Sequence, residues 1–175
     1  RRNSRQSGSL KMFQVTQERP GDKPNIEKLL DKSFGTDRLQ TRVAYALRSD
    51  VSPLPELCFV MRGPSFLCAS IRYWPVLIDG QQPCLLLGPL AVGQAWRGGG
   101  LGKILLGHSL ARAKILGHGA VLVIGDPDYY EPFGFAAALA DNLTLPRPVD
   151  PGRFQGCELI PGSLAGLSGP VTPVA

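Results

Sequence analysis

The chain has 175 residues, of which 43% are hydrophobic and 19% charged, a balance typical of one globular domain with a buried core. Residues 1–12 contain four basic residues and no acid, which leaves 15 basic residues against 14 acidic ones in 13–175. Because the net charge of +5 belongs mostly to this short stretch, it does not indicate a nucleic-acid surface on the fold. No apolar run reaches the roughly 18–20 residues of a membrane span. We expect partners that are neither nucleic acid nor membrane.

Domain organisation follows from the same charge distribution. We expect a flexible basic tail over 1–12 and a single domain over 13–175. The tail has the composition of an expression remnant, a disordered arm or a piece of a targeting peptide, and the sequence leaves these three open. Nucleic-acid binding through the tail is a minor alternative, which deletion of 1–12 would test.

The cysteines give no sign of a metal or redox motif. Cys58, Cys68, Cys84 and Cys157 form no C-x-x-C pair, and the chain has two histidines, so a zinc site is not expected. The first three lie in apolar runs, where a free thiol packs like a small hydrophobic side chain. We therefore expect free thiols, no metal ion and a reducing compartment, the cytoplasm.

The first part of the chain predicts a strand and two helices. Residues 13–17 alternate and predict the strand. The first helix is expected to start at an Asp22 cap and to end at Gly35, which tolerates the positive φ of a helix end. Its inward face is predicted to hold Ile26, Leu29, Leu30 and Phe34. A shorter helix after Asp37 is predicted to turn inward the apolar residues Leu39, Val43, Ala46 and Leu47.

Three runs rich in β-branched and aromatic residues predict strands over 57–62, 66–78 and 83–92. Asp79 and Gly80 predict a tight hairpin turn between the last two. Because proline cannot donate to a ladder, Pro75 predicts an edge, a bend or a bulge. For the same reason Gly88 and Pro89 predict an interruption of pairing within the third strand.

The second half predicts one long helix among short elements. The helix is expected to run over 101–116 and to stop at Gly117. Its predicted apolar face holds Leu101, Ile104, Leu105 and Ile115, and is widened by Leu106, Leu110 and Ala113. The apolar run 120–124 predicts a buried central strand. A short helix is expected after Asp126. The remaining predictions are strands over 135–138 and 154–160, then mostly irregular structure after Pro161, which completes a mixed α/β fold.

A glycine-rich turn, RGGGLG at 97–102, joins the strand ending at Val92 to the long helix. The first N–H groups of a helix lack intrahelical partners and favour an anion, and glycines allow the backbone to approach a phosphate closely. A Walker A loop is not matched, because Ile104 stands where Ser or Thr is needed. A Rossmann fingerprint is not matched either, because Lys103 or Leu105 stands at its third glycine.

Arg97-x-x-Gly100-x-Gly102 fits the [RQ]-x-x-G-x-[GA] pattern of the GNAT superfamily of N-acetyltransferases. Downstream, YEPFGF at 130–135 fits the Y-x-x-x-G-F that closes the core of that superfamily. With further matches over roughly 13–170, the chain resembles a bacterial GNAT subgroup of unassigned substrate. The resemblance implies a central mixed, mostly antiparallel sheet of six to seven strands, about four flanking helices, and a splay between strands four and five.

The resemblance also implies that acetyl-CoA is the co-substrate and that this cofactor occupies the splay. The pantetheine arm would pair with Leu90, Ala91 and Val92. The pyrophosphate would bind the turn and helix start formed by Arg97, Gly98, Gly99, Gly100, Leu101, Gly102 and Lys103. Tyr130 aligns with the tyrosine that protonates the departing thiolate.

The acceptor side is less determined by the motifs. Val123 replaces an Asn common in the family and Gln94 a common Pro, and strand four lacks the acid that some relatives use as a base. Glu56, at the start of the second strand, is the nearest candidate for a general base on the acceptor side. Arg72 and Trp74, which alternation places on one face of the third strand, are candidates to line the acceptor pocket. The implied function is direct acetyl transfer to a primary amine on a small molecule or a protein, in a possible homodimer. The alternative is a CoA-binding regulatory or sensor module that lost turnover.

Overall fold

A computed structural model describes residues 13–38, 42–48 and 50–174. Its strands are β1 (Gln14–Gln17), β2 (Phe59–Arg62), β3 (Leu67–Ile78), β4 (Gln82–Val92), β5 (Ala120–Ile124), β6 (Leu143–Thr144), β7 (Phe154–Glu158) and β8 (Gly169–Pro173). Its α-helices are α1 (Lys23–Phe34), α2 (Val43–Ala46), α3 (Leu101–Ile115) and α4 (Pro127–Tyr130). Short 3-10 turns lie at Pro20–Asp22, Pro55–Leu57, Gln94–Trp96, Glu131–Phe133 and Ala137–Ala140. The expected basic tail over 1–12 lies outside the described residues.

The strands form one mixed sheet in the order β1-β2-β3-β4-β5-β7, with β8 beside β3 and β6 beside β8. The pairing is antiparallel except for β4 with β5 and β6 with β8. The helix α3 covers one face of the sheet, and α1 packs on the other face against β2 and β4. The strand β5 is buried on both faces, as its apolar run predicts, because Val121 and Val123 face the core that includes α3 while Ala120 and Leu122 pack against the C-terminal part of the chain. Eight strands in the described part of the chain exceed the six to seven expected.

The long hairpin of β3 and β4 carries the irregularities that the sequence predicts. Asp79 and Gly80 both have positive φ in the turn, at 53° and 66°. The ladder register shifts between the pairs Ile71–Leu90 and Tyr73–Leu87, which places a bulge at Gly88 and Pro89. The interruption expected in this strand is therefore confirmed.

The helix α1 buries Ile26, Leu29 and Leu30 as expected, and Gly35 ends it with a φ of 87°. Asp22 precedes the helix but does not cap it with its side chain. Instead, its carboxylate accepts hydrogen bonds from the Arg62 guanidinium at 3.0 and 2.8 Å and from the Arg19 backbone N–H. Asp22 stands at the predicted N-cap position, but the predicted side-chain cap was wrong because the partly buried Arg62 on β2 engages the carboxylate. Of the second helix, Leu47 is fully buried, and Leu39 lies outside the described residues.

The expected apolar face of α3 was wrong at two positions. The side chains of Ile104 and Ile115 are 43% and 74% exposed. The buried face holds Leu101, Gly102, Leu105, Leu106, Ser109, Leu110 and Ala113. A glycine and a serine belong to this stripe because the helix packs closely on the sheet, where small side chains fit, and apolar periodicity does not register such residues.

Two further segments differ from expectation. The stretch expected as a strand over 135–138 makes one isolated bridge, Ala136 with Gly156, and then a 3-10 turn. The stretch after Pro161, expected to be irregular, contains β8, which pairs with Val76–Ile78 of β3. Pro75 lies between the part of β3 that pairs with β2 and the part that pairs with β8, so the expected edge position is observed.

Candidate active site

The sheet opens between β4 and β5. These parallel strands pair at Leu85–Val121 and Leu86–Leu122, and in the described chain β4 has no β5 partner from Leu87 to Val92. The opening begins beside the bulge at Gly88 and Pro89. A cavity of about 330 Å³, the splay cavity, lies there. Its walls include the four residues Leu87–Leu90, as well as Arg48, Tyr129 and Tyr130. The free strand edge therefore offers backbone groups to an extended ligand.

The glycine turn lies at the far end of this opening. Gly98 and Gly100 adopt a φ of 82°, and a Cβ added at either would meet no atom within 4 Å, so the space above the turn is open. The start of α3 has no side-chain cap and no acid in its first turn. The Arg97 guanidinium donates to the Val92 carbonyl at 3.2 Å and ties the turn to β4. Uncapped N–H groups and two cations, Arg97 and Lys103, suit an anion such as a phosphate.

Two adjacent tyrosines line the opening from the β5 side. The Tyr129 hydroxyl lies 2.5 Å from where a Cβ on Gly102 would lie. A further cavity, the glycine-turn cavity, is lined by the turn and the start of α3, including Arg97, Gly98, Gly100, Gly102 and Lys103. Tyr129 and Val92 line both this cavity and the splay cavity. Tyr130 packs edge-on against Phe135, and its ring lies 2.5 Å from the position of a Cβ on Gly125. Burial raises the pKa of both phenols, and the neighbouring Tyr129 adds to the shift of Tyr130. Tyr130 therefore keeps its proton at neutral pH.

On the other side of the bulge lies a second cavity of about 600 Å³, the arginine cavity. Arg72, on β3, donates two hydrogen bonds to Glu18 at 2.9 and 2.7 Å. Burial lowers the pKa of Arg72, but the hydrogen bonds and charge of Glu18 outweigh it and leave the pKa raised. Arg38 is paired with Glu27 and Asp31. The acids of this cavity are thus already neutralised by arginines.

Arg48 lies where the two cavities meet. It lines both, together with Pro89, and its residue is 7% exposed. The guanidinium lies over the Tyr45 ring at 4.3 Å and the Trp74 ring at 5.0 Å, while the Trp74 indole N–H donates to the Gly88 carbonyl at 2.6 Å. Burial lowers the pKa of Arg48 to about 10, which leaves it charged at neutral pH.

The structure brings together most of the site residues predicted from the sequence. Leu90 and Val92 line the splay cavity, Gly98, Leu101 and Lys103 line the glycine-turn cavity, and Arg72 and Trp74 line the arginine cavity. Ala91 is buried on the opposite face, against α1. Glu56 is exposed in the turn Pro55–Leu57 and lines neither the splay nor the arginine cavity.

Sequence reasoning missed Arg48, Glu18 and Tyr129. Arg48 and Glu18 stand outside any motif, and only the fold brings them to the bulge. Tyr129 had a weak signal, since it directly precedes Tyr130 on a short helix.

The described residues hold no cluster of three or more His, Cys, Asp or Glu placed to bind a metal ion. They also hold no helix with the length and apolarity to cross a bilayer. All four cysteines are buried and free.

Comparison with known proteins identifies the family of this chain. The chain matches no protein-family model. It is 30% identical over 151 residues to N-acetyltransferase YhbS of Escherichia coli K12, which covers 86% of this chain and 89% of that protein. The chain belongs to the GNAT family of N-acetyltransferases. A second relative, N-acetyltransferase YjhQ of the same strain, is 26% identical over 85% of this chain and 82% of its own.

Solved GNAT structures have the same fold. The crystal structure of Escherichia coli YhbS in complex with CoA matches 93% of this chain and 89% of its own, with a TM-score of 0.78 and 29% identity. A GNAT acetyltransferase from Brucella melitensis in complex with acetyl-CoA matches 91% of this chain and 94% of its own, with a TM-score of 0.67 and 24% identity. The enzyme class expected from the turn and YEPFGF motifs, an N-acetyltransferase, is thereby confirmed.

Proposed function

We propose that this GNAT protein moves the acetyl group of acetyl-CoA to a primary amine by direct attack, with Tyr130 as the acid for the leaving thiolate. The observation that carries the proposal is the open edge of β4 between the glycine turn and Tyr130. An extended thioester bound along that edge would have its phosphates at one end and its acyl group at the other. Two GNAT relatives of known structure were solved with CoA or acetyl-CoA, which supports this choice.

The residues present fit such a co-substrate. The backbone of Leu90 to Val92 would pair with the pantetheine arm, and the N–H groups of the first turn of α3 would bind the pyrophosphate, aided by Arg97 and Lys103. The positive φ of Gly98 and Gly100, and the open space where their Cβ atoms would lie, keep the turn accessible. Acetyl-CoA supplies an activated acyl carbon and a thiolate leaving group.

Tyr130 would act at the acyl end of the opening. The amine nitrogen forms the new C–N bond to the acyl carbon, the C–S bond breaks, and the Tyr130 hydroxyl gives its proton to the sulfur. A buried phenol with a raised pKa holds that proton until a stronger base, the thiolate, develops beside it. The phenolate then regains a proton from solvent.

We assign no side-chain base. Three acids line the two cavities within the described chain, and all accept hydrogen bonds: Glu18 from Arg72, Glu27 from Arg38, and Asp126 from the backbone of Asp128. Glu18 and Glu27 are held in ion pairs with arginines, and Asp126 caps the short helix α4, so we expect the amine to react from its own unprotonated fraction. The acylated nitrogen then loses its proton to water.

The experiment is thiol release from acetyl-CoA, measured against a library of primary amines, beside a calorimetric titration with CoA. The proposal expects CoA binding and amine-dependent thiol release, with the acetylated amine identified by mass spectrometry. CoA binding without thiol release for any amine would contradict the proposal and favour the regulatory or sensor module. The library also contains a set of lysine peptides, so that the same assay distinguishes a small-molecule acceptor from a protein acceptor.

A further inference from the structure

Among the residues that the structure describes, Arg48 is a buried cation without a counterion. Its Nε and Nη1 atoms are buried and have no hydrogen-bond partner among the residues that the structure describes. A buried charge is costly unless it is paired, and most buried arginines of this fold obey that rule. Arg38 has Glu27 and Asp31, and Arg72 has Glu18. Arg48 is the exception.

Aromatic rings, not acids, hold the Arg48 guanidinium in place. Tyr45 and Trp74 each lie within 5.0 Å of its carbon, and Trp74 is itself fixed by its hydrogen bond to the Gly88 carbonyl. Rings over a guanidinium cover its faces and leave its N–H edge as the only polar surface. That edge is pre-oriented for a planar, charged acceptor group, since a fork of donors binds a carboxylate at two points.

The surroundings raise the demand for an anion. Arg42 and Arg153 line the splay cavity with Arg48, against the single acid Asp126. The charges of Arg42 and Arg72 further disfavour the charged form of Arg48. The acids of the arginine cavity are bound to other arginines. The missing negative charge therefore has to come from a ligand.

We propose that the acceptor is an amine that carries a carboxylate, and that Arg48 binds this carboxylate at the bulge of β4. This inference rests on the proposed function, because it takes the cavities at the bulge as the acceptor side. The aromatic rings that cover the guanidinium leave a flat site for its acceptor, which suits a planar carboxylate, and the second test below includes a phosphate as the competing group. Arg48 is then a specificity residue and takes no part in proton transfer.

The first test needs no turnover. Protein loaded with CoA, which carries no acetyl group, is titrated by calorimetry with the twenty common amino acids, β-alanine and γ-aminobutyrate, and with the carboxamide of each. We expect wild type to bind at least one amino acid about 10- to 100-fold more tightly than its carboxamide, the range that a hydrogen bond to a charged group supports. Equal binding of every pair would overturn the inference.

Arg48→Gln should remove that preference, and Arg48→Lys should keep part of it, while the Kd for CoA changes less than twofold. Arg62→Gln is the matched control, because Arg62 pairs with Asp22 outside both cavities; it should keep the preference. Thermal unfolding checks that each variant is folded. If Arg48→Gln does not fold, the reduced preference expected for Arg48→Lys is the result that tests the inference. A preference that is undiminished in both Arg48 variants contradicts the inference.

The second test measures thiol release from acetyl-CoA with each amino acid and its carboxamide, and with phosphoethanolamine as an amine that carries a phosphate instead. A carboxylate preference in kcat/KM that disappears in Arg48→Gln supports the inference. A preference for phosphoethanolamine over every amino acid would overturn the carboxylate. Selective binding of amino acids without thiol release would leave the Arg48 site standing and reject the proposed function, so the two failures are distinguishable.

Discussion

Glu18 and Arg72 form a two-point ion pair across the sheet, with Nε–Oε2 and Nη2–Oε1 distances of 2.9 and 2.7 Å. Glu18 follows β1, and Arg72 lies in β3 at the register shift opposite Gly88 and Pro89. The side chains are 15% and 9% exposed. The pair thus closes the wall of the arginine cavity beside the bulge and fixes β1 to the strand that carries the site.

We expect Glu18→Ala to lower the free energy of unfolding by about 2–4 kcal/mol, because it leaves a buried guanidinium with only Glu27, at 3.8 Å, as a counterion. Urea unfolding at pH 7 measures the change. Gln17→Ala is the control: its side chain donates to the Pro55 carbonyl in an exposed hydrogen bond, and its loss should cost under about 1 kcal/mol. Equal costs for the two variants would contradict a structural role for the pair.

Tyr130→Phe tests the acid. Removal of the hydroxyl should lower kcat by about 10²–10⁴-fold, the usual contribution of a positioned acid, and change the Kd for CoA less than twofold. Stopped-flow thiol release and calorimetry separate the two quantities. Tyr73→Phe is the matched control, since the Tyr73 hydroxyl is bonded to Ser109 in the core at 2.6 Å. That variant should lose stability and keep its rate, and an unchanged rate in Tyr130→Phe would remove Tyr130 from the mechanism.

Gly102→Ala tests the cofactor side. The new methyl would lie 2.5 Å from the Tyr129 hydroxyl and 3.1 Å from Val92 Cγ2. Tyr129 must therefore shift from its place between the splay cavity and the glycine-turn cavity. We expect the Kd for CoA to rise about 10-fold, or about 1.4 kcal/mol. Gly107→Ala on the same helix is the control, because its methyl would meet Phe133 at an ordinary 3.7 Å. It should leave the Kd unchanged and stabilise the helix by up to about 1 kcal/mol.

Asp22 predicts a specific acid sensitivity. The hydrogen bond from Arg62 holds the pKa of Asp22 below its usual 3.8, against the opposing effect of burial. A lowered folded-state pKa adds stability above the unfolded value, and that stability is lost as pH falls through the folded one. Asp22→Asn should therefore be less stable than wild type at pH 7 by about 2 kcal/mol, with the gap closing below about pH 4. Urea unfolding between pH 3 and 7 tests this, and a constant gap would contradict it.

The sequence predicts the elements better than it predicts the faces of the helices. The turn Asp79-Gly80, the interruption at Gly88 and the helix stop at Gly117 were confirmed because each depends on local backbone chemistry. The predicted apolar face of α3 was wrong at Ile104 and Ile115, which are exposed, and it did not include Gly102 and Ser109, which belong to the buried stripe because they are small. Strand β8 was missed because its pairing partner, Val76–Ile78, lies about ninety residues earlier in the chain.

The same division holds for the site. The glycine turn and the segment around Tyr130 are continuous sequence motifs and could be predicted. Arg48 belongs to no motif, and only the fold brings it together with the residues that make it a candidate binding residue. Nothing near Arg48 in the sequence indicates that Trp74 will cover its guanidinium or that no acid will accompany it. Glu56 illustrates the reverse case, since an acid near a strand start was a reasonable candidate and is an exposed turn residue instead.

The two tryptophans of the chain lie at the two proposed ligand sites, one at each. Trp74 lies beneath the Arg48 guanidinium, while Trp96 stacks on Phe66 at 4.9 Å and lines the glycine-turn cavity. Each ligand therefore has its own intrinsic fluorophore. With Trp96→Phe the emission reports the arrival of the acceptor, and with Trp74→Phe that of the nucleotide. The order of substrate binding can then be timed in the two variants without any added label.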